Sequence, residues 1–247
     1  MMCLVQTDPA EQLPDRLTRL ERVLSRDLVP PAWRRQTPGE SRWPSGLAIL
    51  CMIGLQYMLP ERLSLGPRWA LPAVELLLIV VLAVGNPRRI ERSTPVFRMI
   101  SLVFTGVAGF NTSWSVVLLV LEIARRENTG TAAQLLAAGG DVYLINVLTF
   151  AVWFWELDRG GPVQRALGAR EHPDLLFPQM TAPDMAPKDW EPRFGDYLYV
   201  ALTNSTAFSP TDTLPLTRWA KGLFAIQSVV SLVTAALVIA KAVNALA

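Results

Sequence analysis

DYLYVALTNSTAFSPTDTLPLTRWAK, Asp196 to Lys221, leads without a gap into the last long apolar run, Gly222 to Ala240. The first half reads as a short amphipathic helix from Asp196 to Phe208, which Ser209-Pro210 ends. Thr211 to Thr213 then offer hydroxyl and carboxylate caps for the helix that follows. From these residues alone, the segment is an interfacial helix laid beside a final membrane span.

The same residues resemble, in order and spacing, the pore loop of the potassium-channel superfamily. Asp196, Leu198 and Tyr199 open the segment and Thr206 precedes the filter position. Asp212, Pro215, Thr217, Ala220 and Lys221 close it. The resemblance implies a re-entrant helix, a filter segment and a pore-lining final helix, assembled fourfold. The filter departs from that family. A potassium filter reads Thr-Val-Gly-Tyr-Gly, whose glycines let successive carbonyls face the ion. Here Ala207, Phe208, Ser209, Pro210 and Thr211 occupy those places. A carbonyl ladder is not expected, so Ser209, Pro210, Thr211 and Asp212 are the candidate constriction, with the Ser209 and Thr211 hydroxyls and the Asp212 carboxylate facing any ion.

Composition sets the class. Of 247 residues, 51% are apolar and the net charge is only +2, so long oily blocks mark an integral membrane protein and nothing points to nucleic acid. No secretory signal is legible in MMCLVQTDPAEQLPDR, and the spans are expected to direct insertion. Cys3 and Cys51 form neither a disulfide framework nor a metal cluster, and His172 lies in a proline-rich loop without Cys or His neighbours. No metal, cofactor or nucleophile motif is expected, and an enzyme is not.

Leu17, Leu20, Leu24 and Leu28 recur at helical spacing among Arg16, Arg19, Arg22 and Arg26, which predicts a basic amphipathic helix ending before Pro30-Pro31. It either lies on an anionic membrane face or a partner, or packs on the rest of the chain. Four apolar blocks follow, Trp43 to Leu59, Trp69 to Gly85, Val96 to Ile123 and Thr131 to Trp155. A span takes about 20 residues, so the first two are short. Within them Glu75 and Asp141 are intramembrane acidic candidates, as ion or proton sites or as interhelical hydrogen-bond partners.

The fourth block leaves through FWELDRGGP, Phe154 to Pro162, where Glu156, Asp158 and Arg159 form a charge cluster ahead of a Gly-Gly-Pro turn. This phrase, with SPTD, is similar to a group of bacterial membrane proteins of unassigned function. Gln164 to Arg193 is polar and proline-rich, a cap or connection ordered by Leu175, Leu176, Phe177 and Trp190. In the last helix Gln227, Ser231, Thr234, Lys241 and Asn244 share one face, a stripe that either lines water or mates with another helix.

The expected architecture is therefore an all-α multi-pass protein of the cell membrane with about five spans and a re-entrant or interfacial helix before the last. Its parts are a basic arm and linker over 1–42, four spans over 43–156, a loop over 157–195 and the pore-type module over 196–247. Five spans place 18 Lys and Arg on one side and 5 on the other, which puts the proline-rich loop in the cytoplasm. The channel resemblance needs the opposite orientation, and the two agree if Trp43 to Leu59 does not span. A cation-passing homo-oligomer, tetrameric by the channel resemblance, with the bilayer and inorganic ions as partners, is the leading expectation. A non-conducting scaffold or sensor and a small-solute transporter are the rivals.

Overall fold

The computed structural model describes residues 30–41, 43–64, 66–85, 95–124, 132–206 and 212–246. The basic helix expected before Pro30 and the constriction residues Ser209, Pro210 and Thr211 lie outside these described residues.

The four apolar blocks are helices α1 (Trp43–Met58), α2 (Ala70–Gly85), α3 (Pro95–Ala124) and α4 (Ala132–Leu157). Two short turns, α5 (Pro162–Ala166) and α6 (Pro178–Thr181), interrupt the proline-rich stretch. Then come α7 (Phe194–Ser205) and the long final helix α8 (Arg218–Leu246). Prolines set several of the starts, at Pro95, Pro162 and Pro178, because the first helical turn needs no donor from them. The only sheet among the described residues is one antiparallel ladder of two-residue strands, β1 (Leu175–Leu176) and β2 (Leu214–Pro215), with Leu175 opposite Pro215 and Leu176 opposite Leu214.

Arg98–Leu121 in α3, Leu136–Gly160 at α4 and Arg218–Ala240 in α8 are long and apolar enough to cross a membrane. The apolar parts of α1 and α2 are shorter. The chain is thus mostly helical, with three candidate spans. Exposed Leu77, Val103, Phe110, Val229, Leu232 and Ile239 give these helices the outer surface that lipid tails accept.

Helix α4 is the central post, packed against α1, α3, α7 and α8. Lipid gives no hydrophobic drive between helices, so close approach and interhelical hydrogen bonds must hold them. Gly109 on α3 supplies the approach, since a Cβ there would lie 2.0 Å from the Trp153 ring. That ring donates its Nε1–H to the Thr105 carbonyl at 2.8 Å. Thr112 and Thr149 join their hydroxyls at 2.8 Å, and Asn146 donates to Ser231 at 2.8 Å. Each such bond contributes about 0.6 kcal/mol in a bilayer, so the bundle rests on their number rather than on any one.

Candidate functional site

The end of α4 carries a buried polar cluster. Asp158, with no exposed surface, accepts from the Tyr197 hydroxyl at 2.6 Å and from the backbone N–H of Asp174 at 3.0 Å and Leu175 at 3.3 Å. Asp174 accepts from the Arg159 N–H at 2.8 Å and from Trp219 Nε1 at 3.1 Å, while its carbonyl accepts from the Leu216 N–H at 2.9 Å. Arg165 donates to the carbonyls of Trp155 at 2.5 Å and Asp158 at 3.0 Å, and lies over the Tyr197 ring at 4.8 Å. Arg159 donates to the carbonyls of Trp33 and Arg170, and Arg98 pairs with the Glu156 carboxylate. Buried charges persist only when paired and hydrogen-bonded, and these residues supply each other's partners.

The chain reverses here through Arg159, Gly160 and Gly161, all at positive φ (52°, 82° and 94°). Only glycine adopts the last of these freely, at φ 94° and ψ 174°. The turn sends the proline-rich stretch back over the cluster. From the other side the linker closes on it, with Glu40 accepting from Trp155 Nε1 at 2.8 Å and from the Phe194 N–H at 2.5 Å.

Helix α7 starts at this cluster and runs along α4 into the bundle. Its first turn is held by the Asp196 carboxylate, which accepts from the Arg193 N–H at 2.8 Å. Its last residue, Ser205, shares a hydrogen bond with Tyr143 at 2.9 Å, fifteen positions earlier on α4 than Asp158. At 1.5 Å per residue, the 12 residues of α7 make a helix about 17 Å long. By Leu214 the chain is back at the cluster, paired with Leu176. Seven residues, 207–213, reach at most about 25 Å when extended, enough for that return. The final helix then descends beside α7, tied to it by Asn204, which donates to Gln227 Oε1 at 2.8 Å and to the Phe224 carbonyl at 3.1 Å.

The residues singled out in the sequence fall in four places. Asp212 is exposed on the returning segment, next to buried Thr213. Gln227, Ser231 and Thr234 are buried and face inward: Gln227 donates to the Ala201 carbonyl at 2.8 Å, Ser231 accepts from Asn146, and Thr234 Oγ1 has no partner among the described residues. Lys241 continues the same helix, and its side chain lies outside the described set. Glu75 is fully buried between α1 and α3, and Asp141 is half-buried on α4. The structure brings the stripe to α4 and α7 and leaves both acids apart from it.

Asn146, Asn204, Asp174 and Tyr197 were not singled out from the sequence. The rule that flagged Glu75, a polar group inside an apolar block, applies equally to Asn146. For Asp174 and Tyr197 the sequence offers no signal, since their role depends on a turn that brings residues 158, 174 and 197 together. Among the described residues no group of three or more His, Cys, Asp or Glu could hold a metal ion.

Burial pushes the Glu40 carboxyl above its ordinary value of 4.5, against the opposing bonds from Trp155 and Phe194 and the nearby Arg165 and Arg193. A carboxyl raised in the folded state binds its proton more tightly folded than unfolded. Its contribution to stability is therefore complete below about pH 4.5 and is lost as pH rises through the folded value. Glu40→Gln should flatten this component. Thermal midpoints in detergent from pH 4 to 7 check it: the fall with rising pH should be steeper for the unsubstituted protein than for the variant.

No family model matches this chain, and no curated protein and no solved structure matches it either.

Proposed function

We propose that the C-terminal part of this protein is a channel-type pore module in a membrane, with α7 as a re-entrant helix, Ser209, Pro210, Thr211 and Asp212 as the constriction and α8 as the inner helix. One observation supports it above the others: α7 leaves the Asp158–Asp174 cluster, descends partway beside α4, and the chain is back at that cluster by Leu214. Helix in, a short return and helix in again is the order that a pore loop requires.

In this reading the protein is a multi-pass, non-enzymatic homo-oligomer whose Trp43 to Leu59 block does not span, and Asp212 gives the mouth its preference for cations. A single chain cannot enclose a pore of this type. Only 29% of the most apolar window of α8 is buried within the chain, which leaves that helix free for lipid or for neighbouring copies. The test is ion flux and bilayer recording with the purified full-length protein. Cation-selective current is expected, and Asp212→Asn should lower potassium-over-chloride selectivity by about tenfold. No flux above empty vesicles, or unchanged selectivity in the variant, overturns the proposal.

A second reading, a non-conducting scaffold or sensor, is favoured by the inward stripe. Gln227 and Ser231 spend their hydrogen bonds on α7 and α4 of the same chain, so that face of α8 is not turned to a water column. Partner capture that depends on residues 15–28, from protein that carries no flux, distinguishes this reading.

A further inference from the structure

Away from the α7 module, α1, α2 and α3 enclose a second polar centre. Glu75 on α2 has no exposed surface, and Gln56 on α1 is 3% exposed. The amide Nε2–H of Gln56 donates to Glu75 Oε1 at 3.3 Å. Beyond that bond, Gln56 Oε1 and Glu75 Oε2 are both buried and both without a partner among the described residues. Two side chains are thus joined through one donor, and each keeps an acceptor with nothing to accept. A small recess runs past Gln56 to Ser64 and Arg68 at its rim, with Asn111 and Ser115 of α3 on its wall.

Among the described residues nothing charged answers Glu75. Helix α1 contains no Asp, Glu, Lys, Arg or His. Helix α3 carries only Arg98, spent on Glu156 in its first turn, and Glu122 at its far end. These lie about 20 Å and about 16 Å along the helix from Asn111. On α4, Asp141 is half-buried and Glu156 is the partner of Arg98. Arg68 sits at the rim, within 3.9 Å of Glu61 and over the Tyr57 ring at 5.2 Å. A bare carboxylate enclosed this way would carry a desolvated charge and face a second acceptor oxygen.

We propose that Glu75 and Gln56 form a proton-binding site in the α1–α2–α3 part of the bundle, with Glu75 a neutral carboxylic acid closed onto the amide. One proton on Oε2 removes both vacancies. The acid O–H donates to Gln56 Oε1 while the amide N–H donates to Glu75 Oε1, a ring of two antiparallel hydrogen bonds in which every buried acceptor is used. Release passes the proton to water, leaves the carboxylate and turns the Gln56 carbonyl from an acceptor into a repelling neighbour. The contact between the two short helices α1 and α2 then loosens. The site stands whether or not the α7 module conducts.

Infrared spectroscopy of the purified full-length protein in lipid nanodiscs, in sodium-free buffer at neutral pH, reads the acid directly. One carboxylic-acid carbonyl band is expected that Glu75→Gln removes and Asp141→Asn leaves in place. Glu75→Gln keeps the shape and can pair amide to amide. Gln56→Leu retains Glu75 and provides an independent reading: the band should move to higher frequency as the acid loses its acceptor. Absence of a Glu75-dependent band, a band unmoved by Gln56→Leu, or a band abolished by adding sodium, which would make the site a metal-cation site, overturns the proposal.

Discussion

Asp158→Ala should lower the unfolding free energy by about 3–5 kcal/mol, the range for leaving one side of a buried charged network without its partner. The carboxylate has no exposed surface and three donors converge on it, from Tyr197, Asp174 and Leu175. Removing it strands a hydroxyl and two backbone N–H groups and takes from the Arg165 guanidinium, which lies over Tyr197, one of the carboxylates that attract it. Tyr197→Phe removes only one of these bonds and should cost about 1 kcal/mol. Combined, the two substitutions should cost little more than Asp158→Ala alone, because they delete the same interaction. Thermal unfolding in detergent, followed by tryptophan emission, measures all three. Equal midpoints for Asp158→Ala and the unsubstituted protein would refute the assignment of this cluster as the tie between α4, α7 and the β1–β2 ladder.

Gly161→Ala should cost about 3 kcal/mol, through backbone rather than contact chemistry. At φ 94° and ψ 174° an alanine is strained wherever its side chain points. Its Cβ would also lie 2.9 Å from the Glu156 carbonyl and press on the Arg98 guanidinium. One neighbour up, Gly160→Ala meets the flexible Gln164 side chain at 3.3 Å and a φ of 82°, and should cost less, about 1–2 kcal/mol. The order of the two midpoints is the measurement. A reversed order would mean that the turn is held by side chains and not by its backbone.

Much of the helical framework was legible because its signals are local. Apolar runs bounded by proline, glycine and charge predict helices over Trp69 to Gly85 and Val96 to Ile123, and α2 and α3 occupy 70–85 and 95–124. The caps at Thr211 to Thr213 predict a last helix directly after them, but it begins at Arg218, because Leu214 and Pro215 are drawn into the ladder with β1. The Asp196–Phe208 amphipathic segment is a helix from Phe194 to Ser205. What periodicity does not carry is direction. It groups Gln227, Ser231 and Thr234 on one face of α8, but which neighbour that face meets depends on Asn146 and Asn204, 81 and 23 positions away from Gln227. Likewise FWELDRGGP announces a turn with charges in it, whereas the partners of those charges arrive from residues 33, 170, 174 and 197. Fold was read from neighbours in the chain, and the site depends on neighbours in space.

Glu40 stands just before α1, yet one of its two hydrogen-bond donors, the Phe194 N–H, lies 154 positions downstream. Synthesis at about 5–20 residues per second delivers that donor roughly 8–30 s after Glu40 itself. During that interval the linker over 30–41 lacks that donor while α1 to α4 are already made. The linker's attachment to α7 is therefore among the last joints to form, and a chain stalled before Phe194 would hold Glu40 through Trp155 alone.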